Sequence, residues 1–418
     1  MATYGTVPGL FNSGGFTQDL TVKDFASMIM RYMPNGNAPL FAMSSALGEE
    51  TAVNTTHGYF AKSMVFPEIE LTAAISATDT NLEVTSTDNI IEGMIFQFEA
   101  TQENVMVIRV TDATHVVVQR GIGGGADAVD PATDAAKAYQ VGNAHEEGSL
   151  RPNALAITPV QITNLTQIFR NTYAITGTAE AVSVIAGDTT AAENQRDAAA
   201  FHATDIEYSL LFGKKGMGVR NGQPIRFMDG LINVVSDLNY YPAGTSQANV
   251  FNASSTGTDS ITLESYLDAT LNQQTDPTTP NERTIYLGGE ALKVINRICR
   301  LNGEYELMHG QSEWGLRFDT LKMTRGTFRL VEHPLLNTNS FRSKMAIVVD
   351  LSTFRIAYLN GRKTQDRKFN EKGATVAQDN GIDATGGTLT TECTALVKNP
   401  PANAVIYNLT KALADATT

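Results

Sequence analysis

Residues 190–213, TAAENQRDAAAFHATDIEYSLLFG, read as the strongest helix of the chain. Thr190-Ala191-Ala192-Glu193 fits a capping box, in which the threonine and glutamate satisfy each other's backbone N–H groups. Ala192, Ala199, Ala203, Ile206 and Leu210 mark one stripe. Gly213 ends the helix, and Lys214 and Lys215 suit the negative end of its dipole. At the helical rise, 24 residues make a rod roughly 35 Å long. The opposite side carries Arg196, Asp197, Asp205 and Glu207 and is expected to be solvated or to face a partner.

Upstream, ALAITPVQITNLTQIFRNTYAIT (154–176) reads as extended structure with Pro152 and Pro159 at its edges. Further back, NLEVT (81–85), MIFQFE (94–99), NVMVIRV (104–110) and HVVVQR (115–120) are β-rich runs at the spacing of a small all-β unit. MVFPEIE (64–70) and GNAHEEGSLRP (142–152) flank it. The chain is therefore expected to leave one body, build a compact β-module at about 70–140, and return. The first 20 residues read as an extended arm. A helix is expected at 21–33, where Phe25, Met28, Ile29 and Met33 recur at helical spacing before Pro34-Asn35-Gly36-Asn37. A second short helix is expected at 39–47.

Downstream the pattern is mixed: RFMDGLINVV (226–235) looks strand-like, and a polar loop covers 243–260. A helix is expected at 262–271, a strand at 283–287, and a helix at 290–301 after Gly288-Gly289. Strands are expected at 326–333, 345–351 and 354–359, then a tail of short strands ending at Asn399-Pro400-Pro401.

The chain has 418 residues, 42% hydrophobic and 18% charged, enough to bury a core. Its 31 basic against 44 acidic residues give −13. That argues against a general polyanion binder, since phosphate affinity comes from basic groups. No apolar run approaches the roughly 18 residues of a membrane helix. The start, MATYGTVPGLFNSGG, has neither the basic nor the apolar region of a secretory signal, so none is expected. Cys299 and Cys393 are expected to be packed, reduced thiols.

Local motifs for chemistry are scarce. Gly121-Ile122-Gly123-Gly124-Gly125 lacks the following helix of a dinucleotide fingerprint. Gly213-Lys214-Lys215-Gly216 lacks the hydroxyl residue of a phosphate loop. His57, His115, His145, His202, His309 and His333 show no i,i+3 or i,i+4 pair. Serine stands in no nucleophile elbow. Glu49-Glu50 and Glu146-Glu147 are adjacent pairs, expected on a surface. Arg362, Lys363, Arg367, Lys368 and Lys372 are interrupted by Asp366 and Glu371 and read as a solvated or subunit-contacting strand end. Trp314 could anchor an interface or a core. No catalytic, cofactor-binding or metal residue is assigned, and the chain is expected not to be an enzyme.

NLTQIFRNTYAITGTAEAV (164–182), the helix ending DIEYSLLFGKKG (205–216), and NGQPIRFMDGLINVV (221–235) together resemble a major capsid protein of tailed bacteriophages. The likeness is to the branch with a β-domain inserted in its extended loop. GTFRLVEHPLL (326–336), MAIVVDLSTFRIAYLNGRKTQ (345–365) and GGTLTTECTALVKNPPANAVI (386–406) agree. The resemblance implies an α+β, Hong Kong 97-type fold. Residues 1–50 would be the N-arm and 51–180 the E-loop with its β-domain. Residues 181–240 would be P-domain with the spine helix, 241–345 mostly A-domain, and 346–418 the P-domain return and C-terminal segment.

The same resemblance implies hexamers and pentamers in an icosahedral virion shell around double-stranded DNA, without sequence-specific binding and without a membrane. It implies synthesis in the host cytoplasm, a separate scaffolding protein, a portal, and in some relatives cement or decoration proteins. An encapsulin-like compartment shell and a phage tail-tube protein are the structural alternatives. A hydrolase or lectin with a non-local site is the alternative from another class. On the shell reading, arm and loop bury their apolar faces only on assembly.

Overall fold

A computed structural model describes residues 38–62, 67–76, 78–122, 136–154, 159–182, 190–241, 248–253, 260–272, 281–302, 306–313, 316–370 and 383–410. The arm, the helix expected at 21–33, Gly123–Gly125, Trp314 and Glu371-Lys372 lie outside them, as do the side chains of Thr190 and His309. The chain divides into two compact units. One comprises Met1–Gly58, Thr163–Tyr240 and Gln247–Thr418; the other comprises Tyr59–Ile162 and Tyr241–Ser246.

The second unit is a six-stranded sheet. Its strands are Glu68–Glu70, Asn81–Glu83, Met94–Phe98, Asn104–Val110, His115–Gln119 and Lys137–Asn143. In spatial order they are first, sixth, third, fourth, fifth, second. The two outermost strands then meet: Leu71 bridges Val84, Thr72 N–H donates to the Glu83 carbonyl at 3.1 Å, and Thr85 N–H to that of Glu70 at 2.9 Å. These bonds close the sheet into a barrel, which leaves no open edge to pair with another chain. Alternation fills the interior with Ile69, Leu82, Phe96, Phe98, Val105, Val107, Val116, Val118 and Ala138, all buried. The expectation that the loop gains its burial only on assembly therefore does not hold here. Between 68 and 143 the chain makes its own dry core.

The first unit contains helices α1 (Pro39–Ala46), α2 (Gly177–Ala181), α3 (Thr190–Phe212), α4 (Leu231–Ser236), α5 (Ser260–Leu271) and α6 (Gly289–Asn302). One sheet has five strands. Ala384–Val397, 14 residues long, is its spine. Gln167–Thr176 pairs antiparallel with its residues 384–393 on one side, and Gln365–Phe369 with 386–390 on the other. Phe354–Leu359 pairs with its second half, and Glu49–Ala52 adds in parallel to Phe354–Leu359. α3 lies across Gln167–Thr176 and Ala384–Val397.

A mixed seven-stranded sheet runs Val250–Asn252, Ala404–Tyr407, Ala346–Val349, Glu282–Leu287, Thr327–Glu332, Leu316–Lys322, Glu306–Glu313. It draws strands from both sides of residue 345. α6 sets Ala291, Val294, Ile295, Ile298 and Cys299 into the core beside it, spaced i, i+3, i+4, i+7, i+8. α5 adds Leu263, Leu267 and Leu271 to the same cluster. Each buried Val, Leu or Ile among them contributes about 1.5–3 kcal/mol by leaving water.

Four expectations are corrected. The buried row of α3 is Ala198, His202, Ile206 and Leu210, one i+4 ridge, and Ala199 is exposed. Glu207, expected on an outer face, is fully buried. Residues 226–235 are not one strand: Gln223–Phe227 ends and α4 begins at Leu231, because Asp229-Gly230 breaks the extension. The tail, expected to alternate short strands, holds the short Gln365–Phe369 and Ala404–Tyr407 but also the 14-residue strand Ala384–Val397. The architecture is α+β: a long helix on an antiparallel sheet, a helix-covered mixed sheet, and a separate β unit.

Candidate functional site

The face of α3 toward its sheet mixes polar side chains with the apolar Ala198, Ile206 and Leu210. Asn194 Nδ2 donates to the Ala174 carbonyl at 2.8 Å, and Gln195 Nε2 to Asp366 Oδ2 at 2.9 Å. Tyr173 donates its hydroxyl to the same Asp366 oxygen at 2.7 Å. His202 Nδ1 lies 2.6 Å from Asn171 Oδ1, and Nε2 lies 2.7 Å from Thr391 Oγ1. A neutral ring fits both contacts, donating from Nδ1 and accepting at Nε2. Burial pushes the His202 pKa below the ordinary histidine value, and Asp205 opposes the shift less strongly.

One turn on, the buried Glu207 carboxylate accepts the N–H groups of Leu40 and Phe41, each at 2.8 Å. These are two of the donors that the start of α1 leaves unpaired. Glu207 Oε1 also lies 2.7 Å from His333 Nε2. His333 Nδ1 accepts from Leu335 N–H at 3.2 Å, so its ring proton sits on Nε2 and points at Glu207. Tyr286, fully buried, donates to Met43 Sδ at 3.2 Å and stacks edge-on against His333. α1 is thus pinned to α3 and to the seven-stranded sheet by one carboxylate.

Two further buried acids tie the end of α3 to its surroundings. Glu392 meets Arg226 at 3.0 Å, Arg362 at 2.6 Å and the Thr166 hydroxyl at 3.0 Å. Asp229 accepts from Lys215 N–H at 3.1 Å, Asn233 Nδ2 at 2.6 Å and the Tyr240 hydroxyl at 2.5 Å. Buried charges need such partners, because desolvation otherwise costs several kcal/mol per ion.

The sequence points to no site, and among the described residues no set of its candidates comes together in a reactive arrangement. Among the described residues, no group of three or more His, Cys, Asp or Glu could hold a metal. His115 pairs with Asp112 at 3.0 Å in an exposed turn, and His57 lies 3.8 Å from Glu50. Within the basic cluster, Arg362 is held by Glu392 and Lys363 by Glu49 at 2.6 Å. Both cysteines are buried and free, and burial raises their pKa to about 11 for Cys299 and about 12 for Cys393. No described helix is long and apolar enough to cross a membrane.

What the surface does show is apolar side chains on thin elements. Phe60 and Val160 are exposed on Thr56–Ala61 and Val160–Leu165, strands that among the described residues pair only with each other. Met217, Val219 and Phe227 are exposed on the hairpin Gly216–Arg220/Gln223–Phe227. Such surfaces suit contacts between proteins better than chemistry on a small molecule.

A family model described as SU10 major capsid protein matches residues 11–410. The major capsid protein of Pseudomonas phage PaMx41 is 36% identical over 419 residues, covering 97% of this chain and 96% of that one. Among solved structures, the capsid of cyanophage P-SCSP1u superposes with a TM-score of 0.47 and 10% identity, over 97% of this chain and 99% of that chain. The holo-SrpI encapsulin complex from Synechococcus elongatus PCC 7942 gives 0.40 and 12%, over 62% and 80%. The structural likenesses are distant, whereas the sequence match spans nearly the whole polypeptide. The chain belongs to the SU10 major capsid protein family.

Proposed function

We propose that this capsid protein assembles with copies of itself into hexamers and pentamers of an icosahedral head that encloses double-stranded DNA without reading its sequence. It is a structural subunit and performs no enzymatic step. The observation that carries this reading is the strand pair Thr56–Ala61/Val160–Leu165, on which Phe60 is 69% exposed, in a chain whose α3 and its sheet form a plate held by buried carboxylates. A rigid plate can tile a curved sheet, and a thin apolar strap gains burial only under a neighbour. Many modest contacts then give a durable shell. The net charge of −13 keeps the inner wall from gripping the packaged polyanion.

On this reading residues 1–50 are the N-arm and 51–180 the E-loop with the barrel. Residues 181–240 hold α3 as the spine of the P-domain, 241–345 are mostly A-domain, and 346–418 return to the P-domain. The protein is made in the host cytoplasm and resides in the virion. A separate scaffolding protein and a portal are its assembly partners, with cement proteins added in some heads. Electron microscopy of the purified protein, alone and with its scaffold, tests the proposal. Closed particles are expected. Small monodisperse species that persist under every assembly condition would overturn it.

A further inference from the structure

Among the described residues, the hairpin Gly216–Arg220/Gln223–Phe227 pairs with no other strand. Its base is anchored: Gly230 N–H donates to the Gly213 carbonyl at 3.1 Å, and Met228 N–H to Gln167 Oε1 at 3.0 Å. At its tip stand Asn221 and Gly222, both exposed, with φ of 52° and 73°. Two positive φ in succession make a type I′ turn, whose twist matches that of the strands. Arg220 opposite Gln223 is the last rung of the ladder, so the peptide unit joining Asn221 to Gly222 lies outside it. Among the described residues, the Asn221 side chain makes no hydrogen bond and the Gly222 N–H has no acceptor. A Cβ built on Gly222 would meet nothing within 4 Å.

An asparagine followed by glycine holds a latent reaction, in which the glycine nitrogen attacks the asparagine Cγ and closes a five-membered succinimide ring. Closure eclipses Gly222 N with Asn221 Cβ about the Cα–C bond, which in an L residue sets ψ to about −120°, the value at the first central residue of a type II′ turn. Type II′ is the other favoured two-residue hairpin loop. Passing from I′ to II′ takes only a flip of the 221–222 peptide unit. Asn221 keeps its positive φ, and Gly222 adopts either sign of φ without a steric penalty. The ladder below is untouched, so the fold does not hold the reaction back.

A second exposed pair, Asn360-Gly361, supplies the contrast. Gly361 has φ of 71°, Asn360 keeps a negative φ, and Arg362 N–H closes the turn on the Leu359 carbonyl at 2.8 Å. This is type II geometry, whose first central ψ is about +120°, opposite in sign to what ring closure needs. Its surroundings fix it there. Asn360 N–H donates to the Ala52 carbonyl at 2.9 Å, Gln365 Nε2 to the Gly361 carbonyl at 2.7 Å, and Glu392 N–H to the Arg362 carbonyl at 3.0 Å.

We propose that Asn221 is a self-modification site, converted in the folded chain to aspartate and isoaspartate, while Asn360 is kept intact by its turn. Gly222 N forms a bond to Asn221 Cγ, the Cγ–Nδ2 bond breaks, and the Gly222 amide proton leaves with Nδ2 as ammonia. One water then opens the ring, and nothing is oxidised or reduced. Opening at the side-chain carbonyl gives aspartate. Opening at the main-chain carbonyl gives isoaspartate, which puts one extra methylene into the backbone of a two-residue loop. Residues 214–227 hold Lys214, Lys215, Arg220 and Arg226 and no carboxylate, so either product takes the segment from +4 to +3. The reaction needs only one chain and does not depend on the shell-subunit reading.

The test uses the unaltered full-length protein, aged in heavy-oxygen water with and without urea, then digested and read by mass spectrometry. Heavy oxygen marks conversion that preceded digestion. In buffer, the peptide containing Asn221 is expected to convert roughly tenfold faster than that containing Asn360 or more, the effect of about 1.4 kcal/mol on a barrier. It should split into aspartyl and isoaspartyl forms. In urea, Asn360 should accelerate until the two sites react at like rates. Asn221 staying intact in buffer, or converting no faster there than Asn360, would overturn the proposal. So would a preference for Asn221 that is as large in urea as in buffer, because neighbouring residues, not the turn, would then set it.

Discussion

The barrel and the α3 plate hold themselves together by opposite means. The barrel closes around Phe96, Phe98, Leu82 and a ring of valines, and a buried ion pair, Arg120–Glu103 at 2.8 Å, lies outside that cluster. The plate sets α3 on its sheet through Asn194, Gln195, His202 and Asp205, with Ala198, Ile206 and Leu210 between them, and pins α1 to α3 through Glu207. An apolar core tolerates small slips at modest cost. A row of polar groups tolerates none, because each slip leaves a buried group unpaired. The barrel is thus built for self-sufficiency, and the plate for one fixed geometry, which a subunit that must match identical neighbours requires.

The largest effect that would break this contrast comes from Glu207. Glu207→Ala leaves His333 Nε2–H and the N–H groups of Leu40 and Phe41 unpaired in the interior. It should destabilise the plate by about 3–5 kcal/mol. Hydrogen exchange should accelerate over residues 38–47, with residues 68–143 unchanged. Unaltered protection of α1 would show that apolar contacts, not the carboxylate, hold it.

A smaller effect probes the other side. Leu82→Ala should cost the barrel about 3 kcal/mol, the expectation for a cavity in a close-packed core. Its exchange should rise over residues 68–143, while α1 and α3 keep their protection. If both variants loosen both units together, the barrel's core is not its own, and the division drawn above is wrong.

The same contrast explains what could be read from the amino acids alone. In the barrel, NVMVIRV and HVVVQ alternate cleanly, so strand and face follow from period two. α6 was equally legible, with its apolar stripe uninterrupted. α3 was legible as a helix but not in its orientation. Alanines on several sides give no unique stripe, and its buried ridge includes a histidine. Glu207 looks like a surface residue in any pattern of hydrophobicity. Its partners, Leu40, Phe41 and His333, stand 126 or more positions away, so no local signal reports them. The closure of the barrel at Leu71–Val84 was hidden for a related reason, since it rests on a single bridge outside any run of alternation. The Asn221-Gly222 turn did carry a local sign, an Asn-Gly pair between Val219 and Ile225, but the proline beside it obscured the second strand. The family resemblance supplied the overall plan where periodicity could not.

The smallest effect sharpens the comparison through pH. His202 is buried among Asn171, Thr391 and Asp205, and burial lowers its pKa in the folded chain. In the unfolded chain it takes a proton near pH 6.5. Between those two values the unfolded state binds more protons, so falling pH favours unfolding. Full stability is present above about pH 6.5, erodes as the pH drops through that value, and levels off below the folded pKa. Urea midpoints followed through plate residues should decline over this window. The decline should flatten in His202→Gln, which keeps hydrogen bonding but cannot titrate. A slope that persists in that variant would assign the sensitivity elsewhere. It would also show that the helix–sheet contact tolerates a charge at its centre, which a polar seam this tightly paired should not.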